Sequence, residues 1–283
     1  MEAQLVAVEC RPRLTIIEPV GRNTAPAVAA AAMGLEGDHV LLVMPSDHMI
    51  SDPEGLVEIL PDAVAAAEAG RLVTFGVQPS RPETGFGYIE PGEPESSWFR
   101  IRAFAEKPDS ETAAAFLAGG RHLWNSGMFA FRADIVTAEL SRLAPDIAAA
   151  VRSALEAGKR TVGRIELGDE FETAPAVSLD KAVMEHTDLA VMLPLGADWS
   201  DLGSWQSLYE VGEPDKDGNV ILGDVVASNV SGSYLRSQGR LLVVNDVEDV
   251  VVVETPDAVL VTSRKGSQDV KAIVERLSGR TEV

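Results

Sequence analysis

One cysteine, Cys10, stands in 283 residues, so no internal disulfide can form and no cysteine-based zinc site can be built. Basic residues are scarce: 24 Lys+Arg face 44 Asp+Glu, a formal charge of −20. Such a surface repels a nucleic-acid backbone and argues against sequence-independent DNA or RNA binding. It does not exclude a phosphorylated small molecule, which needs only a few local cations and a metal. No apolar run reaches the length of a membrane span. The opening Met1-Glu2-Ala3-Gln4-Leu5 lacks the cationic flank and apolar core of a signal peptide. A soluble cytoplasmic protein with no membrane or nucleic-acid partner is expected. His48, His122 and His186 have no metal-ligand spacing, and no Ser/His/Asp order supports a nucleophilic triad.

An apolar fraction of 46% is that of a globular chain with a real core, and the length allows one large domain with an appendage. The stretch that organises the reading is Val40-Leu41-Leu42-Val43-Met44, which stops at Pro45-Ser46-Asp47-His48. An unbroken apolar run before a turn signal predicts a strand buried on both faces of a parallel sheet. Polar residues at its carboxyl end then sit where open α/β sheets bind ligands. Asp47 is a hard oxygen donor suited to a divalent cation carrying phosphates; equally, it could cap the next helix while His48 fills a turn.

Strand and helix signals alternate along the first two thirds. Leu14–Ile17 reads as a strand, followed by a loop and a helix with Thr24 as N-cap and Pro26 in its first turn. A helix over roughly 53–69 and a strand at 72–76 follow the Val40 strand. Residues 84–90 and 99–104 look like paired strands, 110–118 a helix, and 124–131 a strand. The Ala-rich stretch 134–157 is helical with a break at Pro145, 177–185 is a helix, and 189–194 a strand. Residues 199–205 open a further helix. From Val220 to Thr262 short Val/Leu/Ile runs punctuated by Gly, Asn, Ser and Asp predict a β-rich segment, closed by a helix at about 267–277. The expected division is 1–214 and 215–283.

Seven segments carry a resemblance. They are Glu18-Pro-Val-Gly-Arg-Asn-Thr-Ala-Pro26, Met44-Pro-Ser-Asp-His48, Thr84-Gly-Phe-Gly-Tyr-Ile-Glu90, Phe104-Ala-Glu-Lys-Pro108, Trp124-Asn-Ser-Gly-Met-Phe129, Ser178-Leu-Asp-Lys-Ala-Val-Met-Glu185 and Trp199-Ser-Asp-Leu-Gly-Ser-Trp205. In order and spacing they resemble the motifs of mannose-1-phosphate guanylyltransferases, or GDP-mannose pyrophosphorylases, from about Ile16 to Lys271. The resemblance implies an α/β fold: a Rossmann-like nucleotidyltransferase domain with a mixed, mainly parallel sheet, incomplete at its N-terminus, then a small β-rich segment. It implies transfer of GMP from GTP to mannose 1-phosphate with release of pyrophosphate, and Mg²⁺ as cofactor. This chemistry depends on positioning and charge neutralisation more than on covalent catalysis.

Roles carry over by resemblance. Asp47 and Asp201 resemble two metal ligands; the bland alternative for Asp201 is helix capping, which Ser200 could supply instead. Glu106 resembles an acceptor for sugar hydroxyls and Lys107 the contact to the sugar phosphate, against an exposed charged pair before a proline. Gly85 and Gly87, lacking Cβ atoms, would let backbone approach the sugar, or simply turn. Asn125 would meet a mannose hydroxyl, or make a strand-end bond. Arg22 and Asn23 match the loop that borders the nucleobase, or stabilise that loop. Trp199 and Trp205 read as packing, and Asp180 as structural.

The family's signature Gly-Gly-x-Gly-Thr/Ser-Arg-Leu, whose amides cradle the triphosphate, is not found; Gly119-Gly120 is the nearest glycine pair and sits at a helix end. Met1 aligns inside the usual catalytic domain. Loss of even one preorganised donor commonly costs about a hundredfold in rate, so little activity is expected of this polypeptide alone, together with exposed sheet edges. The competing reading is a non-catalytic relative that binds a sugar phosphate or sugar nucleotide, or assists an active enzyme. A homo-oligomer or a complementing N-terminal fragment is the expected macromolecular partner.

Overall fold

The computed structural model describes residues 2–35 and 39–277 and divides into two compact units. The first comprises Met1–Ser46 and Ser51–Asp198, the second Asp47–Ile50 and Trp199–Val283. The texture change expected near residue 214 falls inside the second unit, between the Trp205–Glu210 helix and the Val220–Leu222 strand.

The first unit is built on a six-stranded sheet in the order Val40–Val43, Leu123–Arg132, Leu72–Val77, Ala190–Leu195, Trp98–Glu106, Gly87–Glu95. It is mixed, as expected, but not mainly parallel: only Leu72–Val77 and Ala190–Leu195 run parallel, and every other pairing is antiparallel. Tyr88 and Ile89 also pair with Trp124 and Leu123, so the hairpin strand Gly87–Glu95 bridges to the far side of the sheet. The Val40–Val43 strand is the main correction. It lies at the sheet edge, antiparallel to Leu123–Arg132, with Leu42 39% exposed. An apolar run shows that a strand wants burial; it cannot show which neighbours are present to supply it. The strand buried throughout is instead Leu72–Val77.

Helices Thr24–Gly34, Ala133–Leu143 and Pro145–Ala157 pack into the largest apolar cluster, with Phe131, Leu140, Val151, Phe171 and Leu179 fully enclosed. Pro145 begins the third helix, where its missing N–H costs nothing. Two local expectations change. The cap of the first of these helices is Asn23, whose side chain accepts from Thr24 N at 2.8 Å, while Thr24 Oγ1 accepts from Leu179 N. The helix expected over 177–185 is a single π-type turn, Asp180–Met184.

The second unit is a coil of short strands. Val220–Leu222, Tyr234–Ser237 and Val250–Glu254 stack in parallel, with Val259–Ser263 antiparallel at the end; Val225–Ser231 and Leu242–Glu248 form a second parallel face. Val220, Tyr234, Val251 and Val253 point into one interior cluster, and Val230, Leu235, Val244 and Val252 into another. Successive side chains of a strand point to opposite faces, so the run Val250–Val253 sends Val251 and Val253 to one cluster and Val250 and Val252 to the other. The Glu254 carboxylate ties one turn by accepting from the amides of Gln238, Gly239 and Arg240. Among the described residues no helix is long and apolar enough to cross a membrane.

Candidate functional site

In the first unit, four strands and one turn bring polar groups to one place. Asn125, near the start of its strand, is only 8% exposed and is held from both ends of its carboxamide. Thr74 Oγ1 donates to its Oδ1 at 2.6 Å, and its Nδ2 donates to Asp180 Oδ1 at 2.7 Å. A third, long contact joins Gly127 N to the same Oδ1 at 3.4 Å. Burial, the larger cause, and the nearby charge of Glu106 together push the Asp180 carboxyl up to about 6. Gly87 closes the group: a Cβ there would come within 2.9 Å of Glu106 Oε2 and 3.4 Å of Asn125 Cβ. A side chain there would have to displace the Glu106 carboxylate and press on the Phe104 ring, 3.3 Å away.

The sequence-derived residues separate here. Glu106 is sheltered, with 14% of its side chain exposed, whereas Lys107 Nζ reaches outward at 63% and stands 3.6 Å from Glu106 Oε1. Lys107 also holds a left-handed backbone, φ 49°, and its N–H donates to Phe86 O at 3.2 Å. Gly85 has open space except towards Glu83, whose Oε1 accepts from Gly85 N at 3.0 Å. Glu83 is itself buried and its N–H donates to Tyr88 Oη at 2.9 Å, so this carboxylate organises the loop that carries both glycines. Glu83, Thr74 and Asp180 were missed in the sequence; for Asp180, its place in the Ser178–Glu185 segment was the only signal.

Arg22 and Asn23 precede Thr24, whose Oγ1 accepts from Leu179 N, one residue before Asp180. Arg22 Nη2 donates to the Glu172 carbonyl, and Asn23 caps the helix, so both are seen in the loop-stabilising role.

In the second unit, a two-residue antiparallel ribbon pairs Met49 with Ser200 and Ile50 with Trp199. Continued by one residue, that register sets Asp201 opposite His48, next to Asp47. The charges of Asp47 and Asp201 both act on His48, raising its pKa against a larger lowering by burial. Trp199 Nε1 donates to His48 Nδ1 at 3.2 Å, with the two rings edge to face. The neutral imidazole therefore carries its proton on Nε2 and has no lone pair left for a metal.

Neither acid is a helix cap. The Pro53–Glu68 helix is capped by Asp52, and the Trp205–Glu210 helix by Ser204. Asp201 Oδ1 instead accepts from Gly203 N at 2.9 Å. Asp47 is exposed and Asp201 half-buried. Among the described residues no three or more His, Cys, Asp or Glu side chains are grouped to hold a metal. Two carboxylates fit a cation that completes its shell with water and substrate phosphates, as Mg²⁺ does, and do not fit a cation needing an all-protein cage. Trp199 and Trp205 are packing residues, the latter against Tyr234.

The chain resembles proteins of one kind along nearly its whole length. Residues 6–218 match the model of the family described as nucleotidyl transferase, and 223–277 that of a MannoseP isomerase/GMP-like beta-helix domain. A mannose-1-phosphate guanylyltransferase of Salmonella montevideo is 47% identical over 93% of this chain, which covers 57% of that protein. The xanthan biosynthesis protein XanB of Xanthomonas campestris is 46% identical over 99% of this chain and 61% of its own length. The chain thus spans about three-fifths of the length of the curated relatives it matches. A crystal structure of a mannose-1-phosphate geranyltransferase from Thermus thermophilus superposes with a TM-score of 0.80 at 30% identity, covering 98% of this chain and 89% of that one.

Proposed function

Because the chain belongs to the nucleotidyl transferase family, we propose that it works on a sugar 1-phosphate, as a mannose-1-phosphate guanylyltransferase that transfers GMP from GTP. A phosphate oxygen of mannose 1-phosphate forms the new bond to the α-phosphorus, and the bond to the β-phosphate oxygen breaks to release pyrophosphate. The observation that carries this reading is the meeting of Gly87, Glu106, Asn125 and Asp180 in one polar cluster, where carboxylates and an amide N–H suit the hydroxyls of a sugar.

Within this reading Glu106 accepts from sugar hydroxyls and Lys107 offers a mobile ammonium to the sugar phosphate. Gly85 and Gly87 bring backbone to the sugar. Asp47 and Asp201 would hold Mg²⁺, which supplies charge neutralisation at the phosphates when bound. Arg22 and Asn23 border the guanine.

No Gly-Gly-x-Gly-Thr/Ser-Arg-Leu sequence occurs in these 283 residues. This favours a second reading in which the chain by itself binds the sugar phosphate without turnover and reaches full rate with a further segment or partner supplying the triphosphate loop. Val40–Val43, the edge strand of the sheet among the described residues, would suit such a segment. One experiment separates the readings. The purified chain is titrated with mannose 1-phosphate by calorimetry and assayed for pyrophosphate release with GTP and Mg²⁺. Binding with little release fits the chain acting with a further segment; robust release shows that it is self-sufficient; no binding of mannose 1-phosphate refutes the proposal.

A further inference from the structure

The Asn125 carboxamide is caught between a hydroxyl and a carboxyl, and their protons decide which way it points. An ionised carboxylate only accepts, and a hydroxyl has one proton to give. With Asp180 ionised, the arrangement that satisfies all three groups is the observed one: Thr74 donates to Asn125 Oδ1 and Asn125 Nδ2 donates to Asp180. With Asp180 protonated, a second arrangement satisfies the same groups. The Asp180 O–H donates to the Asn125 oxygen, the turned amide donates to Thr74 Oγ1, and the Thr74 proton turns to Met128 O, 3.3 Å away. One proton is added at Asp180, and only the long Gly127 contact is given up.

Resting on the reading of this cleft as a sugar-phosphate site, we propose that Asp180 is a positioning residue whose protonation selects whether Asn125 offers a sugar hydroxyl its N–H or its oxygen. The groups facing Asp180 make that exchange accessible. Glu106 from the Trp98–Glu106 strand and Glu185 at the end of the same turn oppose its ionisation, Asn125 favours it, and burial outweighs each of them. Lys107 stands beside Glu106, at 3.6 Å, and Lys181 is exposed. The carboxyl is thereby pushed up to about 6. With Asp180 ionised, Asn125 Nδ2 lies on the Asp180 side, and its second N–H is a donor beside the carboxyl groups of Asp180 and Glu106, so donor and acceptor stand side by side for a pair of hydroxyls.

The test uses the full chain labelled with ¹⁵N. The Asn125 carboxamide resonances, assigned through the backbone, are expected to shift with a midpoint near that pKa, and the shift is expected to vanish in Asp180→Asn. Resonances indifferent to pH, or titrating alike in Asp180→Asn, overturn the inference. In parallel, mannose 1-phosphate is titrated into both proteins at pH 5 and pH 8. The ligand's own ionisation cancels in the ratio of affinities at each pH. The ratio is expected near one at pH 5, where the amide introduced by Asp180→Asn mimics the neutral acid, and about tenfold in favour of wild type at pH 8, the worth of one hydrogen bond. A ratio that does not change with pH overturns the positioning role. A wild-type chain that binds no mannose 1-phosphate defeats the function proposed above, and the carboxamide titration then decides this inference by itself.

Discussion

Around Asn125 the polar groups come from four strands and a turn, and the central carboxamide is bonded at both ends. Around Asp47 and Asp201 the scaffold is a ribbon of two residues per strand, with Asp47 open to solvent. The first arrangement fixes direction, which a sugar's hydroxyls require. The second only gathers negative charge, which is what a hydrated cation with substrate phosphates in its shell requires. In the first region burial and like charge hold the Asp180 carboxyl well above its ordinary range.

The sharpest break of that contrast is Asp201→Ala. Turnover in an active preparation should fall by about a hundredfold or more, with the thermal midpoint nearly unchanged; a large drop in the midpoint at retained turnover would make Asp201 a folding residue. Glu106→Gln should raise KM for mannose 1-phosphate by roughly ten- to a hundredfold, the loss of charged hydrogen bonds, and leave KM for GTP alone. Equal effects on both substrates would remove Glu106 from the sugar side. Gly87→Ala pushes a methyl against Glu106 and Asn125, and chemical denaturation should show a loss of about 1–3 kcal/mol together with weaker sugar-phosphate binding. An unaltered protein would show that the cleft is looser than drawn.

Asp180 supplies a pH test. Its folded-state pKa lies above the unfolded value, so between about 4 and 6 the folded chain holds a proton the unfolded chain has lost. Stability from this group therefore falls as pH rises through that window, by on the order of 3 kcal/mol in all. Asp180→Asn should flatten that part of the pH–stability curve and gain stability at pH 8; a curve identical to wild type would place the acid in a more solvated setting. The smallest effect belongs to the ribbon. Trp199→Phe removes the bond to His48 and should cost about 1 kcal/mol by thermal melting, whereas an effect of several kcal/mol would show that the ribbon is as firmly built as the Asn125 cluster.

Most elements were legible because their signals are local. Pro145 marked a helix boundary, and the Val-rich runs after Val220 announced short strands. The candidate residues were legible mainly through resemblance. The structure brings Glu106, Gly87 and Asn125 together and sets Asp47 and Asp201 both near His48, and it shows Arg22 and Asn23 holding their own loop. Asp180 was passed over because nothing near it in the chain reveals that Asn125, 55 residues away, donates to it.

The order of the strands and helices, the scarcity of cations and the carboxylates at strand ends were determined by the amino-acid sequence itself, since propensity, periodicity and charge act over a few residues. Tertiary structure alone decided that the apolar run at Val40–Val43 lies on an edge, that one turn replaces a helix at Asp180–Met184, and that Thr74, Asn125 and Asp180 share a proton network. Each of these depends on which distant segment supplies the missing hydrogen-bond partner, and no local pattern encodes that choice.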